Sequence, residues 1–509
     1  MKKSAILAIA LVAAMAFGGC GTNNDDAAVS QSPDAPVSEA VVPSEGTGDV
    51  AGDGLTPRNA EGLRVDATTE GNTLVVCMDD WKKEAFQYAI DEFNATYPNI
   101  SLEMKSIQIQ DDNVMTSLAA ARDLPDVVYD FMREMPVWAA QGWVYPMDEF
   151  AAGDPDIAHV PQDAIDWRTY NGKLYAMPVR THLKGLVAIN TDLMNELNID
   201  MPAVDWTYDD YIEFLRAGTT DQYSGTEGLF ATATIGSAMV EGEHNYGYNA
   251  ETNSFDLTNG WLKGLAWTRE VQAIAGVVAS TLRDANDPTN TDCDYIKKFG
   301  EGDLGDGNMA WNMGKILSIP ATAADQSGFR SLPFNWTYHS APQNPEIGVR
   351  PISQGTNTIM CATTKYPEAA FEVVKWFSFG EKGMIAQLDC LLQKDPEVLD
   401  NGSLFMVPIT NNPKILAKFE TLGLVSPGLV YMAQNMGNIV HDDFFALLPG
   451  WTTTTQTYIE PMETAISEGG DENALAAEVS ASASAGIQQL RAEWEATLIA
   501  TQAAFEASR

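Results

Sequence analysis

Tyr170-Asn171-Gly172-Lys173-Leu174-Tyr175-Ala176-Met177-Pro178, followed by Gly185-Leu186-Val187-Ala188-Ile189-Asn190-Thr191-Asp192-Leu193, is the stretch on which the fold turns. It predicts two apolar strands separated by a polar interruption at 179–184. Upstream, 73–78 is a short apolar run bounded by turn residues. A 3.6-period face follows over 81–97 (Phe86, Ala89, Ile90, Phe93), Pro98-Asn99 stops it, and 100–107 alternates as a strand. A second unit repeats the pattern: helix 114–122, a strand at 124–129, helix 136–142, and a further helix from Asp148. Strands alternating with helices at this spacing predict a mostly parallel α/β sheet.

The chain has 509 residues, 45% of them hydrophobic, and a formal charge of −40. That charge excludes nucleic acid as a partner, because phosphates would be repelled, and it excludes a polybasic membrane patch. At the N-terminus, Lys2-Lys3 precede an apolar run at 5–17 and Gly18-Gly19-Cys20. The run is short of the ~20 residues a membrane span needs, so it reads as a secretory signal. Small residues directly before a cysteine resemble a lipobox, with Phe17 where Leu is usual and Gly18 where Ala or Ser is usual. The expected topology is a signal peptide over 1–20, lipidation at Cys20, and attachment to the extracellular face of the bacterial cytoplasmic membrane through lipid alone. Residues 21–72 are rich in Asp, Ala, Ser, Pro, Gly and Thr and predict a disordered tether reaching roughly 40 Å. About 440 residues remain, enough for two lobes with real cores.

Several passages resemble the bacterial extracellular solute-binding proteins, the family that includes maltose-binding protein. Leu124-Pro125-Asp126-Val127-Val128-Tyr129-Asp130 and Ala140-Gln141-Gly142-Trp143-Val144-Tyr145-Pro146-Met147-Asp148 resemble its "PDV … aGll.pLd" passage. The 170–178 stretch matches "yNGKiYalP", 185–193 resembles "l.YNkdlf", and Trp206-Thr207-Tyr208-Asp209-Asp210-Tyr211 resembles "tWdef". Gly307-Asn308-Met309-Ala310-Trp311 is similar to a "GkaAm" strand, and 366–377 to "npeaAweflkfl". Ala188 departs from the usual Tyr, and 219–306 fits no part of the pattern. The resemblance implies a two-lobe, class II periplasmic-binding-protein-like α/β fold with a hinge. We expect lobe one at 73–183 and 340–392, and lobe two at 184–339 and 393–509, the crossings falling at 179–184 and near 336–342. The Ala-rich tail, 474–509, predicts one or two helices packed on lobe two.

In open α/β sheets ligands bind beyond the C-terminal ends of strands. That rule selects Asp79, Asp80 and Trp81 after the first strand, Tyr129, Asp130 and Phe131 after the second unit, and Arg180, Thr181 and His182 after 177–178. It also selects Trp311 and Asn312. Trp311 lies where the resemblance implies a stacking aromatic, and Trp451 falls near another such region. Carboxylates, a guanidinium and an amide can pair with vicinal hydroxyls, while indole faces cover a pyranose ring. Each has a plainer reading: Asp79 and Asp80 suit helix caps, Asp130 a turn cap, Arg180 an ion pair, and the tryptophans a core. No metal or catalytic motif appears, the four cysteines beyond Cys20 form no C-x-x-C pair, and 301–308 reads as an exposed turn. The expected protein is therefore a non-enzymatic, cofactor-free monomer. It would capture a carbohydrate by hinge closure and hand it to the permease of an ABC transporter. The same fold binding an acidic sugar, peptide or polyamine, or a secreted glycoside hydrolase, are the alternatives.

Overall fold

The computed structural model describes residues 55–67, 72–78, 80–106, 112–131, 135–240, 246–393, 407–422 and 425–508. Cys20 and Asp79, and the side chains of Asp80, Trp81 and Asp130, lie outside them. Two main sheets organise the chain. The first runs Val407–Pro408, Met177–Thr181, Gly355–Met360, Val127–Phe131, Asn72–Cys77, Ile100–Lys105. Its last three strands are parallel, and Gly355–Met360 is antiparallel to both its neighbours. Helices cover both faces, so Met177–Thr181 and Gly355–Met360 are buried throughout. On one face Phe93 stacks on Tyr97 at 4.6 Å, and Trp376 meets Phe93 edge-on at 5.6 Å. The other face packs Cys77, Val128, Trp138 and Leu498. Cys77, Cys293, Cys361 and Cys390 are free and buried, behaving as small apolar residues.

The helix expected over 81–97 is two helices, Asp80–Ala85 and Gln87–Thr96. Phe86 leaves helical geometry at φ −98°, ψ 15°. The break turns its ring inward, where it is fully buried edge-on to Tyr129.

The second sheet runs Trp336–His339, Leu186–Asn190, Ile316–Ala321, Ser224–Thr226. Helix Tyr208–Ala217 opens on a capping box between Thr207 and Asp210. Helices Thr232–Met239 and Gly260–Gln272 cross closely because glycines line the contact. A Cβ on Gly264 would lie 2.1 Å from the Thr232 carbonyl oxygen, and one on Gly236 2.3 Å from the Gly260 oxygen. Gly264→Val should therefore cost about 3 kcal/mol, read as a lowered urea midpoint; a shift below about 0.5 kcal/mol would show that the helices separate freely.

Between the sheets the chain passes at 182–185, at 340–354 and again near 440–443. His182 N donates to the Gln354 oxygen at 3.3 Å and Lys184 N to the Ile352 oxygen at 2.8 Å. Ile352–Ser353 pairs in parallel with Val440–His441. The passages therefore lie side by side, as a hinge requires.

Four expectations need correction. Residues 55–67, expected within the tether, are docked on the first sheet's helices, with Leu63 and Arg64 buried. Val407–Pro408 joins the edge of the first sheet, although 393–509 was expected wholly in lobe two. Gly307–Trp311 supplies no strand: Met309–Asn312 is a helical turn, and the strand begins at Ile316. The tail is one 36-residue helix, Glu472–Ala507, about 54 Å long, and it spans both lobes. Near its start the Ser484 hydroxyl donates to the Phe255 oxygen. Near its end Trp494 Nε1 donates to the Pro136 oxygen at 2.7 Å, and Gln502 Nε2 to the Tyr175 hydroxyl at 2.9 Å.

Candidate functional site

The strand directions bring several C-terminal ends to the hinge. Met177–Thr181 ends at the first passage. In the second sheet, Ile316–Ala321 is antiparallel to Leu186–Asn190, with Ala321 opposite Leu186. Its end therefore meets the same passage, and Ala323 N donates to the His182 oxygen at 2.9 Å. Ser224–Thr226, parallel to Ile316–Ala321, delivers Glu227 alongside.

Of the sequence-selected residues, Arg180 and His182 are brought to this junction. Arg180 is 3% exposed; its Nη2 donates to the Tyr129 hydroxyl at 2.5 Å, and its Cζ sits 4.8 Å from the Phe86 ring centroid. His182 is half-buried on the passage itself. Asp80 and Trp81 open the helix that follows Asn72–Cys77, and Asp130 belongs to Val127–Phe131. Trp311 and Trp451 are placed otherwise. Trp311 is fully buried between Phe334 (5.0 Å) and Phe329 (5.7 Å), and its backbone N–H donates to Glu227 Oε2 at 3.2 Å. Trp451 lies in a separate apolar cluster, 4.7 Å from Phe444 and 5.5 Å from Phe255. Asn312 is exposed and holds Asp306 Oδ2 at 2.8 Å.

The sequence reading missed four polar groups here: Glu227, the Lys184–Asp442 pair, Asp325 and His441. Glu227 accepts from the Tyr295 hydroxyl at 2.6 Å and pairs with Arg283 at 3.5 Å. Burial pushes its carboxyl up to about 7, against the pull of Tyr295, Arg283 and the Trp311 N–H. Lys184 Nζ bonds Asp442, whose other oxygen accepts from the Tyr246 hydroxyl at 2.9 Å. Burial raises Asp442 despite these partners. Asp325, capping Thr322 near Lys184, is pushed up by burial to about 6. His441 lies between Asp163 (2.6 Å) and Asp443 (3.3 Å). Glu227 was illegible because it sits inside 219–306, which matched no pattern. The run His441-Asp442-Asp443 directly after an apolar Ile439-Val440 was the available signal for the hinge.

Two α/β lobes, side-by-side passages between them, and strand ends converging on the junction define a class II periplasmic-binding-protein architecture. The model for the bacterial extracellular solute-binding proteins matches residues 80–379, and the chain belongs to that family. No curated protein matches the sequence. Among solved structures, the sugar-binding protein MalE of Xanthomonas citri is similar with a TM-score of 0.59 at 13% identity, over 83% of this chain and 99% of that one. A sugar transporter of Rhizobium etli in an open conformation gives 0.58 at 16%, over 82% and 99%. The cyclic α-maltosyl-1,6-maltose binding protein of Arthrobacter globiformis gives 0.58 at 14%, over 82% and 99%. Among the described residues no helix is long and apolar enough to cross a membrane.

Proposed function

We propose that this protein is the lipid-anchored receptor of an ABC import system, capturing a sugar or oligosaccharide between its lobes and delivering it to a permease as a monomer. The observation that carries the reading is the convergence of strand ends from both sheets on one hinge, at Arg180, His182 and Ala323. A guest seated there touches both lobes only when they close, so its binding free energy selects the closed form. The sugar-binding relatives support the solute class, and the Gly18-Gly19-Cys20 sequence supports the anchor. Asp79, Asp80, Trp81, Asp130, Arg180 and His182 are the residues we assign to the guest by their places at strand ends, with Asn312, which precedes the start of Ile316–Ala321, as a more distant member. Trp311 and Trp451 would reach it only after rearrangement of their clusters.

Calorimetry against a saccharide panel, paired with small-angle scattering, tests this. The expected result is 1:1 binding with a smaller radius of gyration and no shortened products. Turnover of an oligosaccharide would favour a hydrolase, and binding without compaction would sink the closure mechanism.

A further inference from the structure

Gly355–Met360 meets an extra residue on each flanking strand. Asn357 pairs with Phe131 but Ile359 with Val128, so Tyr129 and Asp130 together oppose Thr358. On the other side Gly355 pairs with Thr181 but Asn357 with Pro178, so Val179 and Arg180 together oppose Thr356. Bulges re-aim side chains and leave ladder positions open. Here two of them lie next to each other, at the hinge end of the first sheet. Alternation along Gly355–Met360 sends Ile359 to the face of Cys77 and Val128, and Met360, Thr358 and Thr356 to the face of Tyr129.

The chemistry left at this point is incomplete. Arg180, Thr356 and Thr358 are 3%, 1% and 0% exposed, yet Arg180 Nε and both threonine Oγ1 atoms have no hydrogen-bond partner. The Tyr129 hydroxyl, which accepts one Arg180 N–H, donates its own O–H to Gln387 Oε1 at 3.2 Å. Phe86 closes one side of the guanidinium. A guanidinium carries five donors, and a buried one without an anion is costly. The chain holds 70 acidic residues, yet none among the described residues forms an ion pair with Arg180.

We propose that the twin bulges form a carboxylate subsite, with Arg180 as its cation and Thr356 and Thr358 as hydroxyl partners, and that the captured solute is an acidic saccharide bearing a uronic acid. This rests on the solute-binding reading above. A planar carboxylate matches the guanidinium fork in two parallel bonds, and the threonine hydroxyls can serve the neighbouring ring hydroxyls.

The test is calorimetry of the full chain with trigalacturonate and a glucuronic-acid trisaccharide, each against its neutral methyl ester, with neutral trisaccharides alongside. The acid should bind about 30-fold or more tightly than its ester. Arg180→Met should reduce that ratio to about threefold or less. Neutral sugars binding while no uronate does, equal affinity for acid and ester, or a preference that survives Arg180→Met would each overturn the acidic subsite and leave the solute-binding reading intact. Failure of every saccharide, acidic and neutral, would overturn both. The acid–ester comparison uses the unaltered protein, so it decides the matter even if Arg180→Met does not fold.

Discussion

Lys375→Met should lower the unfolding free energy by about 3–5 kcal/mol. Lys375 is 1% exposed on helix Pro367–Phe377. Its ammonium donates to both oxygens of Asp154 at 2.9 and 3.0 Å and to the Gly62 carbonyl at 2.8 Å, and it lies 3.1 Å from Asp156. Methionine has nearly the same length and shape, so packing is conserved and the loss is electrostatic. What remains is Asp154, 3% exposed, held by Arg58 at 2.6 Å and by the Asp156 backbone N–H at 2.9 Å. Arg58 in turn belongs to the docked strap 55–67, where the Arg64 backbone N–H donates to Glu372 and Thr56 N to Glu368. Glu372 also accepts from the Tyr97 hydroxyl at 2.7 Å, and burial raises its carboxyl despite these partners. The strap and the helix therefore neutralise each other's buried charges. Urea unfolding measures the effect, and limited proteolysis should cut within 55–67 sooner in the variant. The double variant Lys375→Met/Asp154→Asn should recover part of the loss, because it removes a buried charge that has lost one of its two cations. A single-variant shift below about 1 kcal/mol would mean that water reaches Asp154.

How far the fold was legible follows from what each element needs. The strands at 73–78 and 124–129 announced themselves because they are buried between helix layers and read as apolar runs, and 100–107 because, at the sheet edge, it alternates between covered and exposed positions. Cys77 and Cys361 were readable as core for the same reason. The strap was not readable. Its hold comes from Arg58, Arg64, Leu63 and backbone groups bonding partners some 90 to 310 positions away, and long-range pairing leaves no local period. Trp311 was misread because the motif around it suggested a strand, whereas Met309–Asn312 turns as a helix and sends the indole among Phe329 and Phe334. Arg180 lies near the end of Met177–Thr181, a place the sequence made legible, but the bulge that sets its direction depends on the register of a strand 175 positions later. That the C-terminal tail is helical was legible from its alanines, but not that it is a single helix or that it spans both lobes. Trp494, Thr501 and Gln502, which tie it to the first lobe, are ordinary surface residues until their carbonyl partners at Pro136, Ala140 and Tyr170 are known.

The charged run of the third passage gives the other large effect: stability should fall as pH rises from about 7 to 9, and His441→Gln should flatten that fall. Burial alone would lower the pKa of His441. The hydrogen bonds and negative charge of Asp163 and Asp443 outweigh burial and push it up to about 9. The imidazolium is thus bound more tightly in the fold than in the unfolded chain, where its pKa is about 6.5. Its contribution is complete below 6.5, fades as pH climbs through 9, and is absent above. Because the Asp163 side chain is 51% exposed, screening limits the contribution to about 1–2 kcal/mol. The other groups facing this site are Arg168, 3.6 Å from Asp443, and Lys184, on the adjacent Asp442. Glu227 and Asp325 also lose their share with rising pH, since a raised carboxyl favours the protonated fold, but those losses are spent by about 7 and about 6. Asp442 and Glu372 are also raised by burial, so it is the difference between wild type and His441→Gln above pH 7 that reports His441. Asp443 also takes the Gly355 N–H at 3.2 Å, and Arg168 Nε donates to Asn357 Oδ1 at 2.6 Å. Deprotonating His441 thus loosens the third passage from Gly355–Met360, the strand between the twin bulges. Urea midpoints measured across pH 6 to 9.5 for both proteins decide it, and a variant that keeps the wild-type slope above pH 7 would remove His441 as the source.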